Sequence, residues 1–244
     1  MDGLPLLNKI VLVTGAARRV GRMLAMACGR AGADVVVHHG HSAPQAQETV
    51  AALEALGRRG WAISADLSDP HQADVLIQRA REIGDLFALV NSAAIFEPLT
   101  LQQTTVDAWE RHLAINLTAP FVLSRAFATG RPAGAAGRIV NILDWRALRP
   151  GADHFPYTIS KAALAALTQS LAVALAPDIT VNGLAFGAIL PPSDNPGSTV
   201  ALRNVPAGRW STPEEVGQAL LFLLTGPALM TGEILHLDGG RHLI

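Results

Sequence analysis

Tyr157 and Lys161 stand four residues apart in FPYTISK, and Asp144 lies thirteen residues before the tyrosine in LDWR. On a helix, residues four apart share a face. An ammonium beside a phenol favours the phenolate and lowers the tyrosine pKa, so such a pair can move a proton near neutral pH. Asn116, in INLTAPF, adds an amide that could hold a water relay to Lys161. Asp144 is the awkward member. An ionised carboxylate would repel the alkoxide that develops as a ketone is reduced, where a neutral hydroxyl would polarise the oxygen. It suits better a substrate whose edge presents ring nitrogens and an amino group.

The elements that must position these groups follow from the order of apolar segments. KIVLVTG, DVVVHH, WAISAD, DLFALVNSAA, GRIVNIL, DITVNGLA and EILHLDGG read as short strands. Between them GRMLAMACGRAGA, PQAQETVAALEALGRRG, HQADVLIQRAREIG, roughly 102–130, Tyr157 to Leu175 and PEEVGQALLFLL have helical spacing. The strands are continuous apolar runs rather than alternating ones, so the chain is expected to form a doubly wound parallel sheet with helices on both faces. No repeat or linker interrupts residues 1–244, which read as one domain. AILPPSDNPGSTVALRNV is rich in Pro, Gly, Ser and Asn, and about 188–210 is expected to act as a substrate lid.

Gly15 and Gly21 lie in the turn after the first strand, with Arg18, Arg19 and Val20 between them. Such a turn brings backbone amides to a pyrophosphate at a helix N-terminus. Asp66 and Leu67 follow the third strand, where a carboxylate could accept from an adenine amino group. Asn91, Ser92 and Ala93 close the fourth, their small side chains leaving room for cofactor. These places are the carboxyl ends of neighbouring strands, where a doubly wound sheet binds ligands. An acid ending the second strand would bind the ribose of NAD; here it ends in His38, His39, Gly40, His41 and Ser42, and Arg18 can meet a 2′-phosphate. The expected cofactor is therefore NADP(H).

Net charge is −1 and charged residues make up 16% of the chain, which offers no basic field for nucleic acid or an anionic membrane. No run approaches ~18 uninterrupted apolar residues, and MDGLPLLNK lacks the pattern of a leader, so a cytoplasmic protein is expected. The single cysteine, Cys28, sits in an apolar helical stretch and reads as an inert buried thiol. No metal site is expected.

Taken together, TGAARRVG, DLS, NSAA, Asn116, the residue thirteen before Tyr157, YTISK and LDGG resemble the short-chain dehydrogenase/reductase family across essentially the whole chain. The resemblance implies a single Rossmann-like domain with about seven parallel strands, a homotetramer, and hydride transfer between a nicotinamide and a small-molecule substrate. Tyr157 would be the acid/base, Lys161 would lower its pKa and hold the nicotinamide ribose, and Asn116 would complete the relay. Gly187 and Ile189, after the sixth strand, would flank the nicotinamide.

Two departures narrow this. Arg19 stands where most members have a central glycine, and Asp144 where most have serine; both resemble the pteridine and dihydromonapterin reductases. Phe96 falls where those enzymes stack an aromatic ring on the pterin, and LDGGRHL is similar to the end of dihydromonapterin reductases. Against this, Ala94 replaces a common serine and Phe186-Gly187 a common Pro-Gly. The expected substrate-binding residues are Arg19, Phe96, Asp144 and Tyr157. Trp145 reads as packing and His154 as an exposed loop histidine. The resulting expectation is an NADPH-dependent reductase of a dihydropterin. The alternatives are a reductase of a 3-oxoacyl thioester or small ketone, and a non-catalytic NADP-binding protein.

Overall fold

The apolar runs become strands because each must bury both of its faces. In a computed structural model, which describes residues 3–132, 134–193 and 195–244, Val11 and Val13 of β1 (Ile10–Val13) point into one core and Ile10 and Leu12 into another. A strand with successive side chains on opposite faces can be apolar throughout only if both faces are covered. The other strands are β2 (Asp34–His39), β3 (Gly60–Ser64), β4 (Leu86–Asn91), β5 (Gly137–Asp144), β6 (Ile179–Phe186) and β7 (Ile234–Leu237). Among the described residues these form one seven-stranded sheet, parallel throughout, in the order β3-β2-β1-β4-β5-β6-β7. The expected doubly wound parallel sheet is thus present.

The helices are α1 (Arg19–Arg30), α2 (Ala43–Glu54), α3 (Pro70–Ile83), α4 (Val106–Leu113), α5 (Ala119–Ala128), α6 (Phe155–Leu175) and α7 (Pro213–Thr225). One core joins α1, α2 and α7 to the sheet through residues such as Leu24, Leu53 and Leu220. The other carries α3 and α5 through Leu76, Ile77, Leu123 and Phe127. Cys28 is fully buried in the first, and burial pushes its thiol up to about 12, which leaves it unreactive. By length and composition α6 could cross a bilayer. Here it packs along β5 and β6 and buries Tyr157 and Lys161.

The chain runs outward from β1 to β3, then returns to place β4 on the other side of β1. That reversal opens a crevice beyond the carboxyl ends of β1 and β4. The first turn that borders it is tightly packed. Gly15 has φ +65°, and a Cβ on Gly21 would lie 2.1 Å from the Gly15 carbonyl oxygen. Because that obstacle is backbone, it cannot swing aside. Gly21→Ala is therefore expected to lower stability by more than about 2 kcal/mol, read as a fall in Tm, and to weaken NADPH binding in parallel.

Candidate active site

A cleft of about 580 Å³ opens at this end of the sheet. Gly15, Arg18, Arg19, Val20 and Gly21 line it from the first turn, and His38, His39, His41 and Ser42 from the end of β2. Asp66, Leu67, Ser92 and Ala93 border it beyond β3 and β4, and Gly187 and Ile189 beyond β6. Phe96, Asp144, Tyr157 and Lys161 complete the opposite end. Two expected members are elsewhere. Asn91 is buried and donates to Asn141 Oδ1 at 2.8 Å, its partner across the β4–β5 register. Asn116 is fully buried in a single π turn at Ala114–Thr118.

The first turn is pinned from below. His38, 2% exposed, accepts from the Gly15 N–H through Nδ1 at 3.1 Å, which leaves Nε2 to donate to the Ala65 carbonyl at 3.0 Å. Both ring nitrogens are thus spent on scaffold. Burial pushes the imidazole pKa down to about 4, although the Ala65 carbonyl acts the other way. Thr14, which the sequence reading passed over, ties β1 to the β4 turn: its Oγ1 accepts from the Ser92 and Ala93 amides at 2.9 and 3.0 Å. The threonine of VLVTG was the available signal.

The donor set of this turn fits a dinucleotide. Arg18 is the extended N-cap residue of α1, no side chain caps the helix, and no acid lies in its first turn. The first N–H groups of α1 are left for an anion such as a pyrophosphate. Arg18 itself is exposed at the cleft. Asp66 Oδ1 is held by the Ser68 amide and hydroxyl at 2.9 and 2.8 Å, and those hydrogen bonds lower its pKa. Arg19 takes φ +50° where a glycine would be unstrained. Its guanidinium donates to the Pro191 carbonyl at 2.9 Å and the Ser193 hydroxyl at 2.8 Å, joining the turn to the segment after β6.

At the other end, β5 stops at Asp144 and α6 begins at Phe155 with Pro156 in its first turn, so the carboxylate meets the helix face bearing Tyr157 and Lys161. Asp144 Oδ1 accepts from the Arg146 amide at 2.9 Å, and Oδ2 from the Tyr157 hydroxyl at 3.2 Å. Burial raises the Asp144 pKa against the pull of the Arg146 amide and guanidinium, Lys161 and Tyr157. Lys161 donates to the Ile142 carbonyl at 2.7 Å, and burial brings its pKa down to about 8.

The net pull on Tyr157 runs opposite to the expected one: burial, followed by the charge and hydrogen bond of Asp144, raises its pKa. The ammonium is drawn to Ile142, 5.7 Å from the centre of the phenol ring, while the carboxylate is in direct contact with the phenol. Asn116 Oδ1 accepts from the Ile95 amide, and its Nδ2 donates to the Ile95 carbonyl and the Ser160 hydroxyl, each at 2.9–3.0 Å. The side-chain amide thus holds the β4 loop against α6, beside the helix that carries Lys161.

Phe96 is 53% exposed, stacked on His154 at 3.9 Å and edge-on to Tyr157 at 4.6 Å. His154 is therefore no exposed loop residue: its side chain is only 16% accessible. Trp145 is indeed packing, held between the guanidinium groups of Arg146 and Arg241 at 4.7 and 4.4 Å. Arg146, also missed from sequence, links Asp144 to Asp153. Among the described residues no cluster of His, Cys, Asp or Glu could hold a metal.

This sheet, cleft and Tyr-Lys pair define a nucleotide-dependent oxidoreductase fold. A family model described as enoyl-(acyl carrier protein) reductase matches residues 15–242, and the chain belongs to the short-chain dehydrogenase/reductase family. It is 30% identical to a 3-oxoacyl-[acyl-carrier-protein] reductase of Synechocystis sp., over 95% of this chain and 96% of that one. Among solved structures, it matches the FolM alternative dihydrofolate reductase 1 of Brucella canis complexed with NADP at TM-score 0.90, with 32% identity over 98% of this chain and 96% of the other. A short-chain dehydrogenase of Burkholderia cenocepacia in complex with NADP gives 0.89 and 36%, over 97% and 99%.

The pinned histidine sets a pH dependence. In the unfolded chain His38 takes up a proton near the ordinary 6.5; in the folded chain it does so only near 4. Acidification across that interval favours unfolding, by up to about 3 kcal/mol. Urea unfolding is expected to show stability falling from pH 7 to pH 4.5, with a shallower slope in His38→Gln, whose amide can donate and accept without titrating. Equal slopes would remove His38 as the source.

Proposed function

We propose that the protein is an NADPH-dependent reductase of a pteridine, acting on a 7,8-dihydropterin such as dihydromonapterin or dihydrobiopterin, with dihydrofolate within the same substrate class. The observation that carries this reading is Asp144: a carboxylate at the inner wall of the cleft, its side chain 15% exposed, hydrogen-bonded to Tyr157 where a ketone reductase is better served by a neutral hydroxyl. A pterin edge offers an amino group and ring nitrogens to that carboxylate, and exposed Phe96 offers a face for stacking. The NADP complexes of the Brucella and Burkholderia relatives and the acid-free end of β2 support the cofactor.

Reduction of a dihydropterin C=N bond adds hydride to carbon and a proton to nitrogen. Bound NADPH supplies the hydride. Asp144 and Tyr157 share a hydrogen bond and titrate as a coupled pair, so the proton leaves the pair as a unit. Burial raises the proton affinity of both members. Lys161 offsets the negative charge that remains after transfer. Arg18, Asp66 and the first N–H groups of α1 hold the cofactor, and 188–210 closes over the substrate with Arg19 as its tie. The protein works as a cytoplasmic homotetramer; the outer edge of β7 and the exposed Phe222 and Leu229 are surface that such an assembly can cover.

A second reading, reduction of a 3-oxoacyl thioester, is favoured by the Synechocystis relative. NADPH oxidation measured with a dihydropterin, with a 3-oxoacyl thioester and without substrate separates the two, and NADH in place of NADPH tests cofactor choice. Turnover of the thioester alone would remove the pteridine reading. Asp144→Ser is expected to lower kcat/KM for the dihydropterin by about 100-fold or more; full activity in that variant would refute the role given to the carboxylate.

A further inference from the structure

His154 occupies an unusual place. It is the residue before α6, three positions ahead of Tyr157, and it sits in the left-handed region with φ 52° and ψ 46°. A side chain other than glycine rarely adopts that conformation, though His, Asn and Asp do so most readily. The conformation carries the imidazole onto Phe96, with ring centroids 3.9 Å apart and planes within 11°. Asp153 Oδ2 lies 3.0 Å from His154 Nδ1 and accepts from Arg146 Nη2 at 2.7 Å. The same guanidinium stands 3.8 Å from Asp144 Oδ1 and 5.8 Å from the Phe96 ring centre. One chain of contacts therefore joins the aromatic ring at the mouth of the cleft to the carboxylate inside it.

We propose that His154 is a substrate-positioning residue, which backs the Phe96 ring and thereby fixes the plane against which a flat heteroaromatic substrate stacks. The proposal rests on the pteridine reading above. Phe96 stands in a loop and is more than half exposed, so without support its ring would sample several orientations. His154 supplies that support from one side and the edge contact with Tyr157 from another. Asp153 and Arg146 then keep the imidazole in register with Asp144. The substrate's ring and its polar edge would thus be set by groups that hold one another.

The test uses the full-length enzyme and two substitutions. His154→Asn keeps a residue suited to the left-handed backbone but removes the ring; His154→Phe restores a ring without the Asp153 hydrogen bond. Asn is expected to raise KM for a dihydropterin about 10-fold, the size of a lost aromatic pair, with kcat falling much less and KM for NADPH unchanged. The Kd of the NADP⁺-loaded enzyme for oxidised pterin, read by quenching of pterin fluorescence, should weaken in step. His154→Phe should bring both values back towards wild type, and thermal melts verify that each variant is folded. If Asn changes neither KM nor Kd, or if Phe weakens both as much as Asn does, the positioning role is overturned while the pteridine reading stands. If the wild-type enzyme reduces a 3-oxoacyl thioester and no dihydropterin, the reading itself falls and the inference with it.

Discussion

The burial of one carboxylate organises this molecule. An isolated ionised Asp144 at the end of β5 would be strongly disfavoured. It is tolerated because the Arg146 amide and guanidinium, the Tyr157 hydroxyl and the Lys161 ammonium surround it. Each of those groups is fixed by a different part of the fold. Arg146 belongs to the short turn that continues β5, while Tyr157 and Lys161 stand on one face of α6, and α6 is pressed on the sheet by an apolar side. Loss of any one partner would leave the others holding an uncompensated charge, so the catalytic end is bound up with the stability of the sheet's central strands.

The nucleotide end works by the opposite device. There the groups that shape the turn are neutral and internally satisfied: His38 between Gly15 and Ala65, Thr14 beneath Ser92 and Ala93. The free charge is pushed outward, onto Arg18 and Asp66, where a soluble cofactor can reach it. One cleft therefore has a neutral, rigid floor at one end and a compensated charge cluster at the other. The reversal of strand order between β1 and β4 is what brings both ends to the same rim.

The sheet was legible because strands buried on both faces must be apolar at every position, which separates them from the helices by eye. Tyr157 and Lys161 were legible as a pair because a four-residue spacing puts both on one helix face, and Asp144 joined them through the family resemblance. What escaped depends on neighbours distant in the chain. The pairing of Asn91 with Asn141 is set by the β4–β5 register, and the role of Asn116 by a π turn that no local propensity announces. His154 reads as polar loop until a left-handed backbone turns it onto Phe96, fifty-eight residues earlier in the chain. The position of the Lys161 ammonium is likewise decided by a carbonyl of β5, which the helix spacing does not reveal.

The two histidines that end β2 look interchangeable in sequence, yet they belong to different structures. His38 is a strut of the phosphate-binding turn, and His39 faces the cleft beside Gly40, His41 and Ser42. Any redesign of this enzyme's choice between NADP and NAD therefore has a boundary drawn through the middle of the HH pair. Changes at 39, 41 and 42 act on the lining of the cleft, at the place expected to meet the adenosine ribose. A change at 38 acts on the loop geometry itself, and would alter affinity for both cofactors together instead of exchanging one for the other.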